Sequence, residues 1–301
     1  MDVDRLDANR RAALKALASI PMIPMIGALG GCGQRSGNDL PPMESAPPRV
    51  EGSGMRQRKF GRTGMSVSEV GFGSWAIGGG AYGSVERSES LRALARAEEL
   101  GCNFVDTAMV YGDSEAILGE FLESRRSRWV VATKYSGQAE GMERTLEKQL
   151  QALRTDAVDF YQIHWAPGAE EGGLYESLYR LKKAGKARFV GISLKTARDI
   201  DNAIDHTSID GFQVPMNLLA PQPFVVRLEK IRASGLGIIV RSALREGFLT
   251  GKFQKTSRFT DPGDQRSKLS EREIADLVDA VEKFRFLEAE TASMGVAAAR
   301  Y

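Results

Sequence analysis

Four residues of this 301-residue chain are of types that hold or move protons, and they share a spacing: Asp106, Tyr111, Lys134 and His164. Asp106 lies near the end of the apolar run "NFVDTA", Lys134 closes "VVATK" and His164 closes "FYQIH". The intervals from Asp106 to Lys134 and from Lys134 to His164 are 28 and 30 residues, and Ser193 follows 29 residues later. A carboxylate at the end of a buried strand needs a partner, and a lysine on the next strand supplies one. An ammonium beside a phenol favours the phenolate, so Tyr111, five residues past Asp106, becomes a better proton donor. A neutral imidazole at His164 would hydrogen-bond a carbonyl oxygen and orient it. Together the four suit reduction of a carbonyl, with a proton from Tyr111 and hydride from elsewhere. Taken singly, each has a plain structural explanation: a satisfied histidine, a capping aspartate, a solvated lysine.

The elements that must position them alternate. Short runs rich in β-branched and aromatic residues recur at 69–75, 103–108, 129–134, 159–165, 187–193, 211–214 and 237–242. They are apolar on both faces, as strands of a buried parallel sheet are. Between them, Met142, Leu146, Leu150 and Leu153 recur at helical spacing, as do Leu174, Leu178 and Leu181, and then Phe224, Leu228 and Ile231. Each set marks a one-faced amphipathic helix. Gly101 and Gly185 stand where helices end. Before the first strand, "RQRKFGRTGMSVS" reads as a β-hairpin.

Repeated strand–helix–strand units imply right-handed parallel crossovers, in a closed barrel or an open doubly wound sheet. The even period favours the barrel. So does the clustering of polar residues at the carboxyl ends of several strands, where a barrel builds its site. "GGGAYG" at 78–83 lacks the helix that a dinucleotide-binding glycine motif opens. The expected fold is therefore α/β, a (β/α)8 TIM barrel with an N-terminal hairpin. Only seven units are legible, and "EAETASMGVAAARY" reads as the start of the seventh helix. The expectation is a barrel lacking its eighth βα unit, with a partner chain or the N-terminal tail covering the gap, or an inactive truncated product.

Composition narrows the function. Forty-one basic and 39 acidic residues leave a net charge of +2, which gives no reason to expect a nucleic-acid partner. Two cysteines, Cys32 and Cys102, and two histidines, His164 and His206, offer neither a disulfide framework nor a His/Cys metal site.

The N-terminus reads as an address. Arg10 and Arg11 precede an apolar run from Ala16 to Gly31, short for a membrane span and broken by Pro21 and Pro24. The pair resembles a twin-arginine export signal, and "LGGC" ending at Cys32 resembles a lipoprotein processing site. Residues 1–32 are thus expected to be an export signal with a lipid anchor at Cys32, 33–54 a flexible linker, and 55–301 the catalytic domain. An exported protein, periplasmic or membrane-anchored, follows; without the signal it would be cytoplasmic.

The motifs "GCNFVDTAMVYGDSEAILG", "VVATK", "DFYQIHW", "GKARFVGIS" and "GFLTGKF", in this order, resemble the aldo-keto reductases from about Met55 to the end of the chain. The resemblance implies an NADP(H)-dependent oxidoreductase acting on a small carbonyl compound, with NAD(H) as the alternative cofactor. The family's catalytic tetrad falls on Tyr111, Lys134, His164 and Asp106. Its cofactor contacts fall on Gly73, Ser74 and Trp75 near the nicotinamide, on Ser193 and Gln213 at the carboxamide, on Arg241 under the ring, and on Ser242, Leu244 and Gly247 along the pyrophosphate. Two positions depart from the pattern. Leu194 stands where the family usually has Asn, and Arg241 stands where an aromatic residue is usual. A cationic Arg241 is expected to disfavour the oxidised nicotinamide. A non-catalytic cofactor-binding or redox-sensing subunit is the competing reading. Trp75, Tyr82 and Trp165 read equally well as pocket or core.

Overall fold

The computed structural model describes residues 54–205 and 208–301. The export-signal and linker readings therefore fall outside the described residues, as does His206, apart from Gly54 at the linker's end.

Two short strands, β1 (Gln57–Lys59) and β2 (Ser66–Ser68), form the hairpin, with Arg58 opposite Val67. Seven further strands form one parallel sheet. They are β3 (Phe72–Gly73), β4 (Phe104–Asp106), β5 (Val130–Tyr135), β6 (Val158–Ile163), β7 (Ala187–Ser193), β8 (Gly211–Pro215) and β9 (Gly237–Arg241). Their spatial order is their chain order. A doubly wound sheet would reverse direction at a switch point. The absence of a reversal here is barrel topology: an α/β, TIM-like half-barrel with β3 and β9 at its edges among the described residues.

Helices follow the strands: α1 (Arg87–Glu99), α2 (Ser114–Leu122), α3 (Met142–Leu153), α4 (Gly172–Lys183), α5 (Ala197–Asp205), α6 (Gln222–Val225), α7 (Leu228–Ser234), α8 (Glu271–Glu282) and α9 (Met294–Arg300). The leucine periodicity is the reason they pack. Met142, Leu146, Leu150 and Leu153 of α3 are all buried, as are Leu174, Leu178 and Leu181 of α4. They join one apolar cluster with Val131, Tyr161, Val190 and Ile192 of the strands. All six residues of β6 are buried, as its two-faced apolar run requires. A second, smaller cluster joins Phe60 and Met65 of the hairpin to Phe104, Ala132 and Phe160. Phe60 reaches over β9 so closely that a Cβ at Gly237 would lie 2.5 Å from its ring.

Two expected elements differ. The run 69–75 is strand only at Phe72–Gly73, and Ser74–Gly78 coils into a 3-10 turn. The Ser74 hydroxyl donates to the Asp106 carbonyl (3.0 Å), occupying an acceptor that a longer strand would pair with. The helix expected across Phe224, Leu228 and Ile231 is two pieces, α6 and α7. Arg227 leaves helical geometry between them (φ −116°, ψ 7°), and its Nε donates to Asp201 at 2.8 Å.

Candidate active site

Register brings the first pair together. Asp106, the last residue of β4, stands opposite Ala132 of β5. Lys134 is two residues further on, so its side chain leaves the same face of the sheet. Lys134 Nζ donates to Asp106 Oδ2 (2.5 Å) and to the Thr107 carbonyl (2.7 Å), and the lysine is fully buried. Burying an ammonium this deeply is tolerable only with such compensation. The other carboxylate oxygen, Oδ1, accepts from Gln162 Nε2 at 3.2 Å. Gln162 is the register partner of Lys134 on β6, is fully buried, and leaves its Oε1 without a partner. Sequence reasoning missed it. The available signal was its place two residues before His164, on the same face of the strand run.

Tyr111 comes from the loop after β4. Its ring centroid lies 5.0 Å from Lys134 Nζ, 5.8 Å from the His164 ring and 6.0 Å from the Trp75 ring. The loop is pinned on several sides. Met109 N–H donates to the Lys134 carbonyl (3.2 Å), and Asp113 N–H donates to the Gly78 carbonyl (3.1 Å). A Cβ at Gly78 would lie 1.7 Å from the Tyr111 carbonyl oxygen, so only glycine permits this approach. Beneath the loop runs a hydroxyl chain: Ser114 Oγ is 2.9 Å from Thr107 Oγ1 and donates to Ser74 Oγ at 2.7 Å. The four residues expected to act together do share one space.

His164 follows β6. Its backbone N–H donates to the Tyr135 carbonyl (2.9 Å), and its Nδ1 lies 3.3 Å from Ser136 Oγ. Burial lowers its pKa to about 4, and the Lys134 charge adds to this while Asp106 opposes it. The imidazole is therefore neutral at pH 7, a group that can share a hydrogen bond without carrying charge into the site.

The expected cofactor residues divide. Ser193 and Gln213 are register neighbours on β7 and β8, with Ser193 Oγ donating to Gln213 Oε1 at 3.3 Å. Gln213 Nε2 is buried and has no partner, a donor left for a group the chain does not supply. Leu194 is fully buried in the main apolar cluster, so it offers no polar side-chain contact. Its carbonyl accepts from Arg241 Nη2 at 3.1 Å. Arg241 ends β9, is half-buried, and makes no ion pair among the described residues. Burial lowers its pKa, while Tyr111, Asp106 and Glu246 oppose the shift. After it, Ser242, Arg245, Glu246 and Gly247 all take left-handed backbone, with φ of 57°, 46°, 51° and 89°. Three of these are not glycine, and such conformations cost free energy and persist only where the surrounding structure holds them. Leu244 is partly exposed within this loop. Near β3, Gly73 and Trp75 are exposed, but Ser74 is fully buried with its hydroxyl in the serine chain.

Trp75 and Tyr82 are not core: they are 38% and 36% exposed, with ring centroids 5.9 Å apart. Trp165 is half-buried against the main cluster, and its Nε1 donates to Glu171 at 3.3 Å. A further contact was not foreseen. Gln265 N–H donates to the Ala81 carbonyl (3.0 Å), and the Arg266 guanidinium stacks 4.7 Å over the Tyr82 ring. This strap ties the segment after β9 to the loop after β3. Among the described residues no His/Cys/Asp/Glu group could hold a metal ion.

Comparison with known proteins places the chain in a family. The model of the aldo/keto reductase family matches residues 69–301. The aldo-keto reductase str7 of Strobilurus tenacellus is 30% identical over 249 residues, covering 76% of this chain and 73% of that protein. The NADH-specific methylglyoxal reductase of Escherichia coli is 27% identical over 266 residues, covering 77% and 80%. Among solved structures, the glycerol dehydrogenase AKR11B4 of Gluconobacter oxydans aligns with a TM-score of 0.66 at 27% identity, covering 78% of each chain.

The state of His164 can be measured. The folded protein holds the ring neutral, so the unfolded chain binds more protons between about pH 6.5 and about pH 4. Stability is expected to be lost as pH falls through that window, and His164→Gln should flatten the loss. With only two histidines in the chain, imidazole NMR resonances assigned by the same variant should show His164 titrating near pH 4. A midpoint near 6.5 would contradict the burial argument.

Proposed function

The chain belongs to the aldo/keto reductase family of oxidoreductases, and from that premise we propose that it reduces a small aldehyde or ketone with NADP(H), Tyr111 being the proton donor. The observation that carries this reading is the Lys134 ammonium 5.0 Å from the Tyr111 ring, with the neutral His164 ring 5.8 Å away on another side.

When bound, the reduced nicotinamide supplies the hydride. The chain's own residues handle the proton. Tyr111 gives its hydroxyl proton to the carbonyl oxygen as negative charge develops there, and Lys134 stabilises the phenolate left behind. Asp106, Thr107 and Gln162 hold the ammonium and its counter-charge in place. Neutral His164 donates a hydrogen bond to the same oxygen and orients it. Ser193 and Gln213 would hold the carboxamide, for which the orphaned Gln213 Nε2 is the fitting donor. Arg241 would lie against the ring, and the left-handed loop at Ser242, Leu244 and Gly247 would line the pyrophosphate, with Gly73 and Trp75 near the nicotinamide end. One relative's name specifies NADH, so NAD(H) is the alternative. A cofactor-binding subunit without turnover is a second reading, favoured by the burial of Leu194 where a carboxamide partner is usual.

The test is a fluorescence titration of NADPH, then NADH, into the full chain, followed by a carbonyl screen. Saturable binding with turnover is expected. Tyr111→Phe should lower turnover at least about 10²-fold and leave the cofactor Kd near that of the wild type. Retained turnover would contradict the assignment. Binding without turnover on any carbonyl would favour the second reading.

Arg241 gives an independent prediction. A guanidinium stacks on a neutral ring but repels a cationic one. NADPH should bind more tightly than NADP+, and Arg241→Tyr should narrow the ratio. Equal affinities in the wild type, unchanged in the variant, would remove the role proposed for Arg241.

We also propose export through the twin-arginine route, with Cys32 acylated after cleavage. The support is the sequence alone: Arg10-Arg11, the short apolar run and "LGGC". Mass spectrometry of the cellular protein should find a mature chain beginning at a lipidated Cys32. An unmodified peptide starting at Met1 would overturn this.

A further inference from the structure

A second buried network lies across β5 from the Lys134–Asp106 pair. Thr133 precedes Lys134, so its side chain leaves the opposite face of the strand. There its hydroxyl donates to Glu115 Oε1 at 2.6 Å. The same oxygen accepts from Gln149 Nε2 at 2.7 Å. Gln149 Nε2 also reaches Thr133 Oγ1 (3.0 Å) and the Lys134 carbonyl (3.2 Å), and Gln149 Oε1 accepts from the Tyr161 hydroxyl at 2.8 Å. Glu115 is 8% exposed, and Thr133, Gln149 and Tyr161 are at most 2% exposed. Burial pushes the Glu115 carboxyl up, while the two hydrogen bonds and the Lys134 charge oppose it.

A carboxyl group in this position is costly, and an apolar side chain of similar volume would fill the space. The proton chemistry makes no use of it. What distinguishes the network is where it ties. Glu115 is the second residue of α2, four residues after Tyr111. Gln149 belongs to α3 and Thr133 to β5. The Lys134 carbonyl that accepts from Gln149 also accepts from Met109 N–H, in the loop that carries Tyr111. One carbonyl thus accepts from both the Tyr111 loop and Gln149, and Glu115 ties the start of α2 to Gln149 and to Thr133 beside it.

We infer that Glu115 is a positioning residue that sets the separation between Tyr111 and the Lys134 ammonium. The inference rests on Tyr111 being the proton donor. Glu115→Leu removes both acceptor bonds, whereas Glu115→Gln keeps an amide oxygen able to accept them. Thr133→Val tests the same link from β5 with little change of volume.

The experiment compares the three variants with the wild type by kcat, the pH profile of kcat, the Kd for NADPH, and a crystal structure. A misplacement of about 1 Å costs about 10²-fold in rate. Glu115→Leu should lower kcat by about that factor, alter the pH profile of kcat, and leave the NADPH Kd within about threefold. Its structure should show the Tyr111 ring displaced from the 5.0 Å separation seen here. Glu115→Gln should restore rate and profile, and Thr133→Val should shift the profile in the same direction as Glu115→Leu. Should Glu115→Leu fail to fold, Thr133→Val carries the test. An unchanged profile and an unmoved ring in both Glu115→Leu and Thr133→Val would overturn the inference, even if melting temperatures fall. A displaced ring in a protein whose Tyr111→Phe variant still turns over would support the positioning role and refute the proton-donor reading instead.

Discussion

The structure turns on one requirement: the Lys134 ammonium is fully buried and must be compensated where it stands. Its two acceptors come from a single place, the end of β4, through Asp106 Oδ2 and the Thr107 carbonyl. This fixes β4 against β5. The remaining carboxylate oxygen recruits Gln162 and so fixes β6. A charge in the interior thereby determines the relative height of three neighbouring strands. It also determines where the loop after β4 leaves the sheet, and Tyr111 lies in that loop. Hydrophobic burial alone would tolerate other heights, because the leucines of α3 and α4 contact the sheet through a nondirectional surface.

Much of this was legible in the sequence. The strand at 187–193 and the helix at 142–153 fall on the residues that periodicity gives. Asp106, Lys134 and His164 converge because a parallel sheet with an even repeat must bring its carboxyl ends together. Other features were not legible, for stated physical reasons. Gln162 sits inside an apolar run, and its role depends on register with Lys134, which period alone does not set. The coil at Ser74–Gly78 depends on a hydroxyl finding the Asp106 carbonyl 32 residues away. The break at Arg227 accompanies a bond to Asp201 in α5, 26 residues back. The strap from Gln265 and Arg266 to Ala81 and Tyr82 joins segments some 180 residues apart, through an isolated antiparallel bridge and a stacked guanidinium. Long-range polar pairings leave no periodic trace, so a reading built on period passes over them.

The site also divides along the sheet. The groups proposed to handle the proton lie on or just after the consecutive strands β4, β5 and β6, with Asp106, Lys134 and Gln162 hydrogen-bonded to one another. The residues assigned to the cofactor come chiefly from β7, β8, β9 and the left-handed loop after Arg241. Both departures from the family pattern, Leu194 and Arg241, fall in the second group, and they touch each other through the Leu194 carbonyl. Neither takes part in the network around Lys134. A change at these two positions can therefore arise without disturbing the bonds that hold Lys134. Burial and the Lys134 charge chiefly hold the His164 imidazole neutral, and the Arg241 charge acts in the same direction as a smaller effect.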